Sequence, residues 1–225
     1  MLENLALSNS NPMLNVYVIC PGFIYGCGED FFFDYFRKSW IGGIKCIPII
    51  GEGMNFIPTI HIKDLVQIIR RLIERKPIIN YIFACDKTKN PTMKNIIRSI
   101  SKGIGSIDIK NLTDFDIDDI DIPNFNELNI DLRIKSSSVT NDELTGNIEI
   151  DNKNKFHWHC EKGIPENMDI LRQEFNIYRG IKPIKIVITG PPSSGKSFIA
   201  EKISKQYKIT HLTMVDIVEW AKNLK

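Results

Sequence analysis

Residues 184–197 read IKIVITGPPSSGKS, an apolar run that breaks into a glycine-bounded loop and ends on Lys-Ser. The segment from Gly190 to Ser197, GPPSSGKS, fits the G-x-x-x-x-G-K-[ST] pattern without a mismatch. Its flanks fit too. Ile184, Ile186, Val187 and Ile188 predict a strand before the loop, and SFIAEKISKQY places Ile199, Ala200, Ile203 and Tyr207 at helical spacing after it. Gly190 and Gly195 allow the backbone to curl so that successive N–H groups face one anion. The N-terminus of the following helix adds positive potential. Lys196 supplies a mobile positive charge, and the Ser197 hydroxyl suits Mg²⁺. The candidate phosphate-binding residues are Gly190, Ser193, Ser194, Gly195, Lys196 and Ser197, with Ser197 also the candidate for Mg²⁺. No residue is singled out as catalytic.

Outward from the loop, the rest of the 225 residues is ordinary in composition. Hydrophobic residues make up 43% and charged residues 25%, as in a folded protein. A net charge of +2 implies no general attraction to nucleic acid. No apolar run reaches the roughly 18 residues of a membrane span, and the first residues, MLENLALSNSNPML, lack the pattern of a secretory signal. A cytoplasmic protein is expected, with its five cysteines (Cys20, Cys27, Cys46, Cys85 and Cys160) reduced and mostly buried.

Upstream, strand and helix signals alternate, which is the α/β signature. NVYVIC (15–20) suits a strand buried on both faces, and KCIPII and NYIFACD (80–86) predict two more. FFFDYFRKSW (31–40) holds six aromatics in ten residues, arranged around any helix rather than along one stripe. It is either buried within the domain or covered by a partner. Residues 62–75 predict a helix with Ile62, Leu65, Val66, Ile69, Leu72 and Ile73 on one face and Lys63, Arg70 and Glu74 opposite. A second helix is expected from Asn90-Pro91 to about Ser101, stopped by Gly103 and Gly105, and a third from Pro165 to Arg179, stopped by Gly180.

Two stretches invite a metal reading and lack the pattern for it. Residues 111–131 carry seven acidic residues and no basic one, yet the glycine of a calcium loop is missing. A surface loop docking on a basic partner is the expectation there. FHWHC (156–160) would place His157 and His159 on one strand face beside Cys160, but zinc takes about four ligands and no second pair lies nearby in the sequence. Packing around Trp158 is the expected role. Residues 136–155 are polar and turn-rich, and SSSVTNDELTGN within them reads as flexible.

The GPPSSGKS loop and the following helix resemble the opening of an adenylate kinase. KITHLTMVDIV (208–218) is similar to that family's second strand. The resemblance places Met214 and Glu219 where the family holds AMP with a Thr and an Arg. A carboxylate at the Arg position would repel the phosphate. VYVICPGFIYGCGED and GEGMNFIPTIHIKDLVQII resemble the C-terminal half of extended short-chain dehydrogenase/epimerase domains, with His61 and Asp64 at a His-x-x-Asp stretch. Both features together resemble the ciliary adenylate kinase seven type, over roughly residues 15–105 and 156–225.

The resemblance implies the C-terminal half of a Rossmann-like parallel sheet followed by the first part of a P-loop NTPase domain. The expected division is an epimerase-like part at 1–110, an acidic then polar insert at 111–155, a strand and connecting helix at 156–182, and the kinase-like part at 183–225. No NAD is expected. A glycine-rich dinucleotide turn is absent before residue 105, and the only Tyr-x-x-x-Lys, Tyr178 to Lys182, spans Gly180 and precedes Pro183.

Only 28 residues follow Ser197, so the sequence as written lacks the family's lid and later catalytic residues. It is expected to be truncated at both ends and inactive alone. The expectation is a structural component of an axonemal complex, radial spoke or central apparatus, with axonemal protein partners and an ATP-binding loop. The alternative is an active adenylate kinase completed by residues outside this sequence.

Overall fold

The computed structural model describes residues 1–42, 46–105, 108–112, 124–137, 156–182, 185–207 and 209–223. Most of the acidic stretch, and most of the segment expected to be flexible, lie outside the described residues. The chain divides into two compact units, Met1–Ile181 and Lys182–Lys225.

In the first unit, strands and helices alternate and the strands pair in parallel. β1 (Val18–Pro21) pairs with β5 (Tyr81–Ala84), β2 (Phe23–Tyr25) with β4 (Thr59–His61), and β3 (Cys46–Ile50) with β6 (Asp108–Leu112). Parallel pairing requires crossovers. These are supplied by α2 (Phe33–Ile41), α3 (Ile62–Arg75) and α4 (Met93–Ile104), after a short leading helix α1 (Leu2–Ser8). The expected α/β class is what the molecule shows. β1 is less enclosed than its apolar sequence suggested: Val18, Ile19 and Cys20 are half-buried and Pro21 is exposed.

The aromatic segment is resolved in favour of burial. Phe32, Tyr35 and Phe36 sit in a core with Ile47, Ile49, Met93, Ile96, Ile97 and Ile100, and only Trp40 stands half out of it. A smaller core joins Ile60, Leu65, Ile68, Leu72, Ile82 and Phe156.

Four helix expectations are corrected. α3 turns a different face inward: Leu65, Ile68 and Leu72 are buried, whereas Val66, Ile69 and Ile73 are exposed. The cause is polar. Asp64 and Arg71 are buried as well, Asp64 because it accepts the backbone N–H groups of His159 and Cys160 at 2.6 and 2.9 Å. Arg71 lies 5.6 Å over the Phe156 ring. Together they rotate the inward face about a quarter of a turn. α4 starts after Pro91, with Thr92 as its N-cap accepting from the Asn95 N–H, because the Pro91 carbonyl is already taken by the Ile57 N–H at 2.7 Å. Gly103 does not stop α4. It lies inside the helix, where a Cβ would come within 2.7 Å of the Met168 side chain. The helix expected from Pro165 is two: α6 (Gly163–Glu166) and α7 (Met168–Tyr178), separated at Asn167. A short helix α5 (Phe125–Leu128) lies in the former acidic stretch.

The second unit holds α8 (Lys196–Tyr207) and α9 (Met214–Lys222). Residues 185–190 and 209–213 carry no regular secondary structure. Neither the strand expected before the loop nor the second strand forms among the described residues, and a helix begins after Thr213. There the Thr213 hydroxyl accepts from the Asp216 N–H and the Asp216 carboxylate accepts from the Thr213 N–H, a capping box that starts α9. This local signal overrides the β-branched run Val215, Ile217, Val218.

Candidate functional site

The phosphate loop comes first. Residues Gly190 to Ser197 form one turn closed by Ser193 at φ 61° and Gly195 at φ 81°. The left-handed conformation explains Gly195, since an L side chain there would be strained. Gly190 answers to a different constraint: a Cβ at this position would lie 3.1 Å from Ser194 Oγ and 3.7 Å from Lys196 Cδ. The lysine stem passes over the backbone at Gly190, where no side chain intervenes. Lys196 Nζ donates to the Pro191 carbonyl at 2.5 Å, which arches the ammonium across the loop. Lys196 and Ser197 form the first turn of α8 and line a cleft of about 560 Å³ together with His211, Thr213 and Met214. All six candidate residues thus fall in one loop and one helix start. The donor types fit a phosphate group: the N–H groups of a loop that turns at Ser193 and Gly195, the Lys196 ammonium and the first turn of α8. The Ser197 hydroxyl is where Mg²⁺ accompanying a nucleotide would be held. Met214 and Glu219 are both exposed on α9.

A second site lies in the first unit. Glu174 of α7 projects into a cluster made of three distant segments. Its carboxylate accepts from His61 Nε2 at 2.9 Å, from His159 Nε2 at 3.0 Å, from the Cys27 N–H at 3.1 Å and from Lys63 Nζ. Four donors match the about four lone-pair sites of a carboxylate. Burial alone would raise this carboxyl, but Lys63, His61 and the Cys27 N–H hold it down to about 2. Lys63 is in turn raised by its bond to Glu174.

His61 has a double role. Its Nδ1 accepts the Lys63 N–H at 3.1 Å and so caps α3. The Nδ1 lone pair being used, the neutral ring carries its proton on Nε2 and donates it to Glu174. The ring is fully buried, edge-on to Tyr25 at 5.2 Å and 4.6 Å from the His159 ring. Burial lowers its pKa below the ordinary imidazole value, outweighing the raising effect of Glu174.

Beside this cluster, the loop 26–29 runs through four consecutive positive φ angles: Gly26 at 93°, Cys27 at 54°, Gly28 at 110° and Glu29 at 49°. A Cβ on Gly26 would collide with the His61 ring at 2.1 Å. Glu29 is 5% exposed, with Oε1 accepting the Gly26 N–H at 2.6 Å and Oε2 without a partner. Burial raises its carboxyl to about 7. Arg179, just past α7, donates to the Gly28 carbonyl at 2.7 Å and to the Glu29 carbonyl, and lies 4.1 Å over the Phe33 ring.

Of the pair considered at 156–160, His159 enters the cluster and His157 is exposed; no strand forms there. The missing partners come from far away: His61, Cys160 and His159, or Cys27, His61 and Glu174, each lie within 4.8 Å of one another. Their chemistry disfavours a metal. His61 Nε2 bears the ring proton, Lys63 already supplies the cation to Glu174, and burial among carboxylates pushes the Cys160 thiol up to about 12. The cluster is held by protons. His61 and Asp64 were visible in the sequence as a His-x-x-Asp stretch; Glu174 gave no signal there.

The first unit is therefore an α/β unit of parallel strand pairs, and the second carries the Gly190–Ser197 loop at the start of α8. No known protein-family profile matches the chain. Among solved structures it is similar to dTDP-glucose 4,6-dehydratase from Bacillus anthracis str. Ames, solved in complex with NAD, with a TM-score of 0.52 and 16% identity over 80% of this chain and 52% of that one. That likeness shows a Rossmann-like fold. Among curated proteins, the chain is homologous to adenylate kinase 7. It is 32% identical to the Macaca fascicularis protein over 210 residues, 91% of this chain and 37% of that protein. It is 31% identical to the Mus musculus protein over 207 residues, 90% of this chain and 31% of that protein. The chain spans about a third of the length of these relatives.

Proposed function

We propose that the chain is part of an adenylate-kinase-like ciliary protein. In it, the loop from Gly190 to Ser197 holds the phosphates of ATP, with Mg²⁺ at Ser197. Its main role is as a structural component of an axonemal complex, bound to axonemal proteins. One observation carries the nucleotide part: Lys196 arches over a side-chain-free Gly190 and presents its ammonium at the mouth of a loop that ends in a helix N-terminus. Homology to adenylate kinase 7 supports adenine nucleotide as the ligand. The structural emphasis rests on α9, which presents Met214 and the carboxylate of Glu219 where the resemblance would place a Thr and an Arg on AMP.

The completeness of the loop favours a second reading, an active kinase interconverting ATP plus AMP and two ADP with the rest of a longer polypeptide. Phosphoryl transfer depends on positioned charge around the reacting phosphate, and the loop supplies one end of that arrangement.

ATP binding by the chain, followed by calorimetry with Mg²⁺, is expected to weaken at least about tenfold in Lys196→Ala, since a charge-assisted contact to phosphate is lost. Equal affinity in the variant would remove the phosphate site. ADP formation from ATP and AMP by the native protein, abolished by the same substitution, would establish the kinase over the structural role.

A further inference from the structure

We propose that Glu174, His61 and His159 form an acid-sensitive clasp that fixes α7 within the Met1–Ile181 unit, and that protonation of His61 opens it. The device follows from the two roles of the His61 ring. Nε2–H donates to Glu174 of α7 while Nδ1 accepts the Lys63 N–H that begins α3. A second proton on the ring has only Nδ1 to go to. It would turn the acceptor into a donor, set N–H against N–H, and remove the helix cap. One protonation thus strikes the start of α3 and the seat of α7 together.

The surrounding charges decide the sign. From α3, Lys63 places its ammonium on Glu174 and 3.4 Å from His159 Nε2, and Asp64 is engaged with the His159 and Cys160 N–H groups. The 156–160 segment adds His159 and the Cys160 thiol. α7 adds Glu174, with Tyr178 and Arg179 at its end, and the 26–29 loop adds Cys27 and Glu29. Glu174 and, more weakly, Asp64 favour a charged ring, but the Glu174 oxygens are already shared among four donors and Asp64 is engaged by two backbone N–H groups. Burial lowers the pKa of His61, so the folded state takes up this proton less readily than an opened one. By linkage, the clasp is intact above about pH 6.5 and loosens as pH falls. Glu29 works the other way. Its raised carboxyl gains stability as pH falls from about 7, which offsets part of the loss in the same unit.

Hydrogen exchange at pH 7.5 and 5.5, corrected for intrinsic rates, tests this on the whole chain. The amides of α7 are expected to exchange about tenfold faster relative to those of α4 at the lower pH. In His61→Asn the ratio should change less than about twofold, because Asn still caps a helix and cannot be charged. An unchanged α7-to-α4 ratio in the unmodified protein, or an equal response in the variant, overturns the clasp. Should the variant not fold, ¹⁵N-histidine NMR of the unmodified protein decides. Protonation at Nδ1 of His61 with loss of Lys63 amide protection supports the clasp. A ring that stays neutral to pH 5, or that charges without that loss, overturns it.

Discussion

At the scale of single residues, the buried carboxyls of Glu29 and Glu174 are kept in opposite states by what donates to them. Glu174 collects two imidazoles, an ammonium and a backbone N–H and stays ionised; Glu29 collects one N–H and is pushed to about 7. The Glu29 carboxyl is raised in the fold, so it contributes most favourably below about pH 4.5, and that contribution is lost as pH rises through 7. Replacing it by the neutral Gln keeps the acceptor for the Gly26 N–H. Glu29→Gln is accordingly expected to stabilise the first unit by roughly 2–3 kcal/mol at pH 8, with no gain at pH 4.5. Urea unfolding at both values reads this directly, and a destabilised variant at pH 8 would contradict it. Neither carboxyl's state was legible in the sequence. Glu174 lies 113 residues from His61, and periodicity reports which face a residue takes, not which distant group it meets. His159 illustrates the same limit: no partner lies near it along the sequence, because its neighbours in space come from β4, α3 and α7.

At the scale of elements, α3 shows what amphipathic spacing can and cannot give. Its existence and its polar residues Lys63, Arg70 and Glu74 were evident. Its inward face was displaced because Asp64 and Arg71, polar by type, are buried by specific partners. The helix carries two apolar stripes, and the sequence alone does not say which is packed. The structure separates neighbours sharply: Leu72 is 3% exposed and Ile73 is 68% exposed. Leu72→Ala should cost about 2–4 kcal/mol, whereas Ile73→Ala should stay within about 0.5 kcal/mol. Denaturant midpoints of the two variants compare them, and equal losses would show the helix rotated from its described seat. α9 gives the complementary lesson. The resemblance placed a strand over 208–218, and the helix start at Thr213 and Asp216 was not read from the sequence. The reciprocal cap satisfies two amides that an extended chain would leave to a partner strand.

At the scale of the whole molecule, the two units differ in how they are held. The first has two cores of buried aliphatic and aromatic side chains. In the second, neither α8 nor α9 buries a residue, and Val187, Leu212, Val215 and Trp220 are each at least 64% exposed. Among the described residues this unit forms no core, which leaves little to offset its chain entropy. Residues 182–225 alone are expected to melt without a cooperative transition by circular dichroism, while residues 1–181 unfold cooperatively. A sigmoidal melt of the shorter piece would refute the expectation. The GPPSSGKS motif was fully legible because its chemistry is local, eight consecutive residues with fixed dihedral needs. The apolar surface around it was not, since burial is decided by what packs against a face. No helix among the described residues is long and apolar enough to cross a membrane.

The anchoring of Ser137 and Phe156 has a consequence for how this protein tolerates change. The Ser137 N–H donates to the Phe83 carbonyl at 2.9 Å and its hydroxyl accepts the Phe83 N–H at 2.8 Å, while Phe156 is buried in the smaller core. Ser137 and Phe156 are therefore fastened to the same unit by different means, one by a pair of hydrogen bonds to the Phe83 backbone and the other by packing in the smaller core. No single substitution undoes both fastenings together.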